Sequence, residues 1–202
     1  MKLYYSPGAC SFAPHLVMNE AGIPHETVKV DLRAKTTADG GDFRKINPKG
    51  YVPTIQLDNG QVLTENAVIL QYLADLKPEA QLMPKFGSFE RYRCIEWENF
   101  IATELHKGFG PFWDPSTPDT YKTHLTKTLN SRLEIVSKHL ADNQFMMGQQ
   151  YTVIDAYLFT VLSWAPMLKF DLSPFAPIQA YMGRIAARPA TLKTLKDEGL
   201  VK

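Results

Sequence analysis

Asn47-Pro48-Lys49-Gly50-Tyr51-Val52-Pro53-Thr54-Ile55-Gln56-Leu57-Asp58-Asn59-Gly60-Gln61-Val62-Leu63-Thr64-Glu65-Asn66 is the stretch whose reading decides the fold of the first third of the chain. Val52 to Leu57 reads as a strand and Gln61 to Leu63 as its partner. Asp58-Asn59-Gly60 joins them, because Asn-Gly tolerates the positive φ of a tight hairpin. Thr64-Glu65-Asn66 then opens a helix that runs to Leu76, with Ala67, Leu70, Leu73 and Ala74 on an apolar face. Pro53 has no N–H for a ladder, so it needs either an edge position or a cis bond. A cis bond would turn the N–H and C=O of Val52 outward, ready to pair with an extended peptide. The free N–H groups at Glu65-Asn66 suit a carboxylate or phosphate, although plain capping of the helix accounts for the same residues.

Upstream, Lys2 to Tyr5 is a short strand, Pro7-Gly8 a break, and Cys10 to Ala21 a helix with Phe12, Leu16 and Val17 recurring, stopped by Gly22. Glu26 to Leu32 alternates through Val28 and Val30 as a strand. Residues 33–50 are polar and form a loop or irregular helix. The order is β-α-β, loop, β-β-α. Residues 77–89 carry Pro78, Pro84 and Gly87 and read as a linker. Beyond them the pattern is helical: Arg91 to Gly108, Tyr121 to Leu140, Thr152 to Leu168 and Pro177 to Ala187. We therefore expect an α/β domain over 1–77, a linker over 78–88 and an all-α domain over 89–202. Thr152-Val153-Ile154-Asp155 fits a capping box, with Asp in place of the longer Glu.

Composition narrows the function. The 202 residues are 45% hydrophobic and 21% charged, with 22 basic and 21 acidic side chains and a net charge of +1. The basic footprint of a nucleic-acid binder is missing. No apolar run reaches the ~20 residues of a membrane span, and the N-terminus has no signal-peptide core, so the expected compartment is the cytosol. The two cysteines, Cys10 and Cys94, cannot build a disulfide framework. The five histidines show no HExxH or CxxC context, so no metal is expected.

The reactive candidates are few. Cys10 follows a strand and a break and opens a helix, where free N–H groups and the helix dipole favour thiolate over thiol; a small buried core residue is the alternative reading. It lacks a second cysteine three residues on, which excludes a dithiol mechanism inside the motif. Cys94, Trp97, Ile101 and Leu105 fall within roughly 80° of one another on a helical wheel, a core stripe. On the opposite side Tyr92, Glu96, Asn99, Thr103 and His106 form a polar stripe, which is either solvated or functional.

Taken together, Met1-Lys2-Leu3-Tyr4-Tyr5-Ser6-Pro7-Gly8-Ala9-Cys10-Ser11, Asn47-Pro48-Lys49-Gly50-Tyr51-Val52-Pro53, Leu63-Thr64-Glu65-Asn66, Ala102-Thr103-Glu104-Leu105-His106-Lys107 and Thr152-Val153-Ile154-Asp155-Ala156-Tyr157 resemble the glutathione S-transferases over essentially the whole chain. Cys10 with His106-Lys107 is similar to their bacterial β class. The resemblance implies a thioredoxin-like N-terminal domain, an all-helical C-terminal domain, a cytoplasmic homodimer, and glutathione as co-substrate with no other cofactor. It implies that Val52, before a cis Pro53, pairs with the cysteinyl part of glutathione. Glu65 and the Asn66 amide hold its γ-glutamyl end, and Lys35 faces its glycyl carboxylate. Cys10 lies beside its sulfur and can hold it as a mixed disulfide. Asn99, Thr103 and His106 approach from the helical domain, and Glu104 reaches the neighbouring subunit's glutathione. Cys10 and His106 are the implied catalytic residues. Tyr5 and Ser11 resemble the thiol-activating hydroxyls of other classes. A hydrophobic electrophile is expected in a cleft between the domains lined by Phe109, Phe112, Trp113 and Trp164. The activity so implied is conjugation of reduced glutathione to such electrophiles; a glutaredoxin-like disulfide reductase using Cys10 and a non-catalytic ligand carrier are the alternatives.

Overall fold

A computed structural model describes residues 1–201. The chain forms two compact units: Met1–Met83 together with Ala187–Lys202, and Pro84–Ala186.

The first unit is built on a five-stranded sheet in the order β3-β2-β1-β4-β5. Its strands are β1 (Lys2–Tyr5), β2 (Glu26–Asp31), β3 (Thr36–Thr37), β4 (Thr54–Gln56) and β5 (Val62–Thr64). β1 runs parallel to β2, with Leu3 opposite Thr27, and antiparallel to β4, with Leu3 opposite Ile55. The parallel pair needs a crossover, and the helix α1 (Phe12–Glu20) supplies it. The antiparallel pair β4–β5 needs only the turn at Asn59-Gly60, where Gly60 has φ of 83°. Leu3 and Ile55 are fully buried on one face of the sheet. On the other face Tyr4 packs with Val30, Val52 and Phe43. That segregation follows from the two-residue period of a strand.

α1 begins at Phe12, two residues later than the sequence suggests, because Ala9 and Cys10 close turns through Phe12 N to Ala9 O and Ala13 N to Cys10 O. β3 is a two-residue edge strand inside the polar loop, too short to show a period in the sequence. The helix α2 (Asn66–Leu76) follows the hairpin as read.

The second unit is all-helical: α3 (Phe89–Phe100), a π-helical turn Ile101–His106, α4 (Lys107–Phe109), α5 (Asp119–Asp142), α6 (Val153–Leu162) and α7 (Ala176–Ala186). Every residue of α6 is buried, as a helix that is mostly apolar all round requires, and its polar residues Asp155 and Thr160 are hydrogen-bonded inside. α6 stops at Leu162 rather than Leu168; turns centred on Trp164 and Ala165 precede Pro166, which has no N–H to continue the ladder. Asp155 is fully buried at the start of α6 and accepts from the Thr152 N–H (2.8 Å), the capping-box bond read from the sequence. It also accepts from Met146 N at 2.8 Å and the Tyr181 hydroxyl at 3.2 Å.

The last helix, α8 (Pro189–Asp197), lies beyond the helices read from the sequence and belongs with the sheet rather than with the helical unit, so the helical unit ends at residue 186 instead of running to 202. Its anchors are polar and specific: Asn19 Nδ2 donates to Thr194 Oγ1 (2.9 Å), and Arg188 pairs with Glu20. An apolar-period reading overlooks such a helix, because polar residues carry its docking.

Candidate glutathione site

The break after β1 and the start of α1 present Cys10, which is partly buried. Its Sγ donates to the carbonyl of Val52 at 3.0 Å. Val52 precedes Pro53, and the Val52-Pro53 bond is cis. Asn66, the first residue of α2, is buried, and its Nδ2 donates to the Cys10 carbonyl (3.1 Å). Its Oδ1 is buried and has no hydrogen-bond partner among the described residues. Three segments that are distant in sequence thus meet at Cys10, and they are the segments the sequence pattern singled out.

Side-chain hydrogen bonds fix the loops around them. Asn47 Nδ2 donates to the Tyr51 carbonyl (2.8 Å) and to Thr54 Oγ1 (3.0 Å), which sets the approach to Val52-Pro53. Lys35 takes φ of 59°, and its Nζ donates to the Gly50 carbonyl at 2.8 Å while lying 5.2 Å from the Tyr51 ring. Glu65 takes φ of 73° at the start of α2, and its exposed carboxylate pairs with Lys49 at 2.6 Å. Lys49 lies within the Asn47–Pro53 motif, and only folding brings it to Glu65.

Ser11 and Tyr5 do not have the environment of thiol activators. Ser11 is buried; its Oγ accepts from Ser6 N (3.1 Å) and donates to Ser6 O (3.3 Å), stapling the turn. Burial, then the charges of Glu198 and Asp197, push the Tyr5 hydroxyl above its ordinary pKa.

The helical unit carries the second group of candidates. Asn99 is exposed, and Thr103 Oγ1 donates to the Asn99 carbonyl at 3.0 Å. Glu104 accepts from Arg132 Nε at 2.7 Å. His106, at the end of the π turn, places Nδ1 2.7 Å from the Tyr157 hydroxyl, and its ring lies 5.0 Å from that of Trp164. Burial, then the neighbouring Lys107 charge, pushes its pKa down to about 4. The imidazole is therefore neutral at pH 7.

The aromatic residues divide. Trp164 and Phe109 are core, whereas Trp113 is 49% exposed and packs edge-on against Trp164 at 6.1 Å. Cys94 is buried, as its stripe predicts, and burial pushes its thiol up to about 12. It is no partner for disulfide chemistry at neutral pH.

A sheet of thioredoxin-like order bearing a cysteine at a helix start beside a cis-proline, joined to an all-helical unit, defines a thiol-handling transferase architecture. Two family models match, the N-terminal domain of glutathione S-transferase over residues 8–76 and the C-terminal domain over residues 100–189. The chain is 47% identical over 200 residues to glutathione S-transferase GstA of Escherichia coli O157:H7, covering 99% of this chain and all of that protein. Among solved structures, a glutathione transferase from Methylococcus capsulatus is 56% identical with a TM-score of 0.97, each chain covered to 99%. A sphingomonad glutathione S-transferase complexed with glutathione is 42% identical with a TM-score of 0.95 over the whole of both chains. A beta class enzyme of Sphingomonas chungbukensis is 43% identical with a TM-score of 0.96, again over the whole of both chains. The protein belongs to the glutathione S-transferase family, and it is an enzyme of that family.

Proposed function

We propose that the protein conjugates reduced glutathione to hydrophobic electrophiles, with Cys10 and His106 as its catalytic residues. The observation that carries this reading is the 3.0 Å bond from Cys10 Sγ to the carbonyl of Val52, the residue before the cis proline. An extended peptide that pairs with the Val52 backbone leaves its own thiol beside Cys10. The N-terminus of α2, with the backbone amide of Asn66, suits the γ-glutamyl carboxylate, while Glu65 suits the ammonium of the same group. Lys35 suits the glycyl carboxylate. In the helical unit we assign Asn99 and His106 as donors and Thr103, whose hydroxyl proton goes to the Asn99 carbonyl, as an acceptor; Glu104 is the residue we assign to a partner subunit's glutathione.

In the transfer step the glutathione thiolate forms the S–C bond and the leaving group departs with its electron pair. Free thiol is mostly protonated at pH 7, so donors that stabilise thiolate raise the reactive fraction. Trp113, half-exposed, and Phe112 offer apolar surface for the electrophile. The test is conjugation of glutathione to an aryl halide. Glutathione-dependent turnover is expected, and its absence at saturating glutathione overturns the assignment.

A second activity is favoured by the same cysteine. Cys94 is buried, so only glutathione can serve as the second thiol in disulfide reduction at Cys10. Cys10→Ala separates the two: loss of disulfide reduction with conjugation retained assigns Cys10 to the reductase step.

The assembly we propose is a cytosolic homodimer. The start of α3 exposes Phe89 (66%) and Tyr92 (61%), with Phe86 (83%) just before it. Arg93 stacks on the Phe89 ring at 5.1 Å and also lines, with Trp97, Ile135 and His139, a cavity of about 410 Å³. Exposed aromatic side chains are a common mark of a protein interface. Light scattering at micromolar concentration is expected to give twice the chain mass, and a monomer refutes it.

A further inference from the structure

The π-helical turn at Ile101–His106 ends on a histidine whose two ring nitrogens meet different surroundings. Nδ1 lies 2.7 Å from the hydroxyl of Tyr157, which is 2% exposed on α6. Nε2 makes no hydrogen bond among the described residues. The ring itself is held on two sides, edge-on to Tyr157 with centroids 5.7 Å apart and against Trp164 at 5.0 Å. π turns inside α-helices recur at functional sites. Here the turn places a polar ring against two aromatic side chains of the helical core.

We propose that Tyr157 is a positioning residue: its hydroxyl donates to His106 Nδ1 and fixes the tautomer that carries its proton on Nε2. A phenol is a far stronger acid than a neutral imidazole N–H, so in a short phenol–imidazole bond the phenol is the better donor. The alternative, Nδ1–H donating to the phenol oxygen, would leave Nε2 with a lone pair. Which nitrogen bears the proton is set by the partner of the other. The depressed basicity of the ring agrees with the neutral form.

The consequence is specific. His106 presents a neutral N–H donor rather than a base. Such a group is suited to stabilise an anionic acceptor such as a thiolate by a charge-assisted hydrogen bond, and it takes up no proton. The thiol proton leaves by another route, to solvent. The inference rests on the reading of His106 as a catalytic residue.

The experiment uses the full-length protein labelled with ¹⁵N in histidine. The ¹⁵N shifts and one-bond couplings of His106 at pH 7 are expected to show Nε2 protonated and Nδ1 bare. Tyr157→Phe, which preserves the ring volume, is expected to give a mixture of tautomers, with kcat lowered about tenfold and KM for glutathione changed by less than about twofold. Trp164→Phe, which removes packing without touching the hydrogen bond, is expected to leave the tautomer intact. A wild-type ring protonated on Nδ1, or a tautomer unchanged in Tyr157→Phe, overturns the proposal. If the tautomer shifts as expected while His106→Ala retains full conjugation activity, the catalytic assignment of His106 fails and the Tyr157 assignment to the ring stands.

Discussion

Glu198 Oε2 accepts from the Gly8 N–H at 2.9 Å, a bond between residues separated by 190 positions. Its other oxygen, Oε1, lies 2.9 Å from His15 Nδ1, and both side chains are almost wholly buried, 1% exposed for His15 and 0% for Glu198. One carboxylate thus ties the chain's last helix to α1 and to the turn that presents Cys10. A buried carboxylate with two such partners is costly to remove, because the buried His15 then loses its carboxylate partner and the Gly8 turn its anchor.

Glu198→Ala is therefore expected to lower unfolding stability by about 3 kcal/mol, read from urea denaturation. By loosening the Gly8 turn it also raises KM for glutathione more than it lowers kcat. Unchanged stability and KM together refute the link.

Asp155→Ala removes the acceptor for Met146 N, Thr152 N and the Tyr181 hydroxyl. We expect a loss of about 3 kcal/mol or more, from the lost cap and the orphaned buried donors. Asp155→Asn keeps one acceptor oxygen and should fall between wild type and Asp155→Ala in urea midpoint.

His106 titrates at about 4 in the folded protein against an ordinary 6.5. Between those values the unfolded chain binds more protons, so stability rises with pH from about 4 to about 6.5 and the contribution is complete above that. The shift corresponds to about 3 kcal/mol across the window. His106→Gln should flatten this part of the stability profile, and an NMR titration should place the His106 midpoint well below 5.5.

Lys49 and Glu65 are both more than half exposed, so their pair contributes under about 1 kcal/mol to stability. Lys49→Ala should leave the melting temperature nearly unchanged and lower KM for glutathione, because it frees the carboxylate for the γ-glutamyl ammonium. Glu65→Ala should raise KM. Steady-state kinetics with glutathione varied will distinguish the two.

Much of the architecture is legible in local signals. Asn59-Gly60 sets a hairpin, the recurrence of Leu70 and Leu73 sets α2, and Thr152 with Asp155 starts α6, since each depends on neighbours within a few residues. The position of Cys10 near a helix start is equally local. What stayed hidden depends on distant partners. β3 is too short to show a period. α8 docks through Asn19, Thr194 and Arg188 rather than through an apolar stripe. The π turn changes the angular spacing after Ile101, so a uniform helical wheel cannot place His106.

The sequence by itself determined the class of each half, the hairpin, the capping box and the short catalogue of reactive side chains, because periodicity and turn chemistry act over one or two turns of chain. Only the tertiary structure decided that Val52-Pro53 is cis and that Cys10 bonds to Val52. It also decided that Lys49 neutralises Glu65, that Tyr157 holds His106, and that the last helix closes over the first. Each of these is a meeting of groups distant in the chain, and packing rather than local preference selects which of them meet.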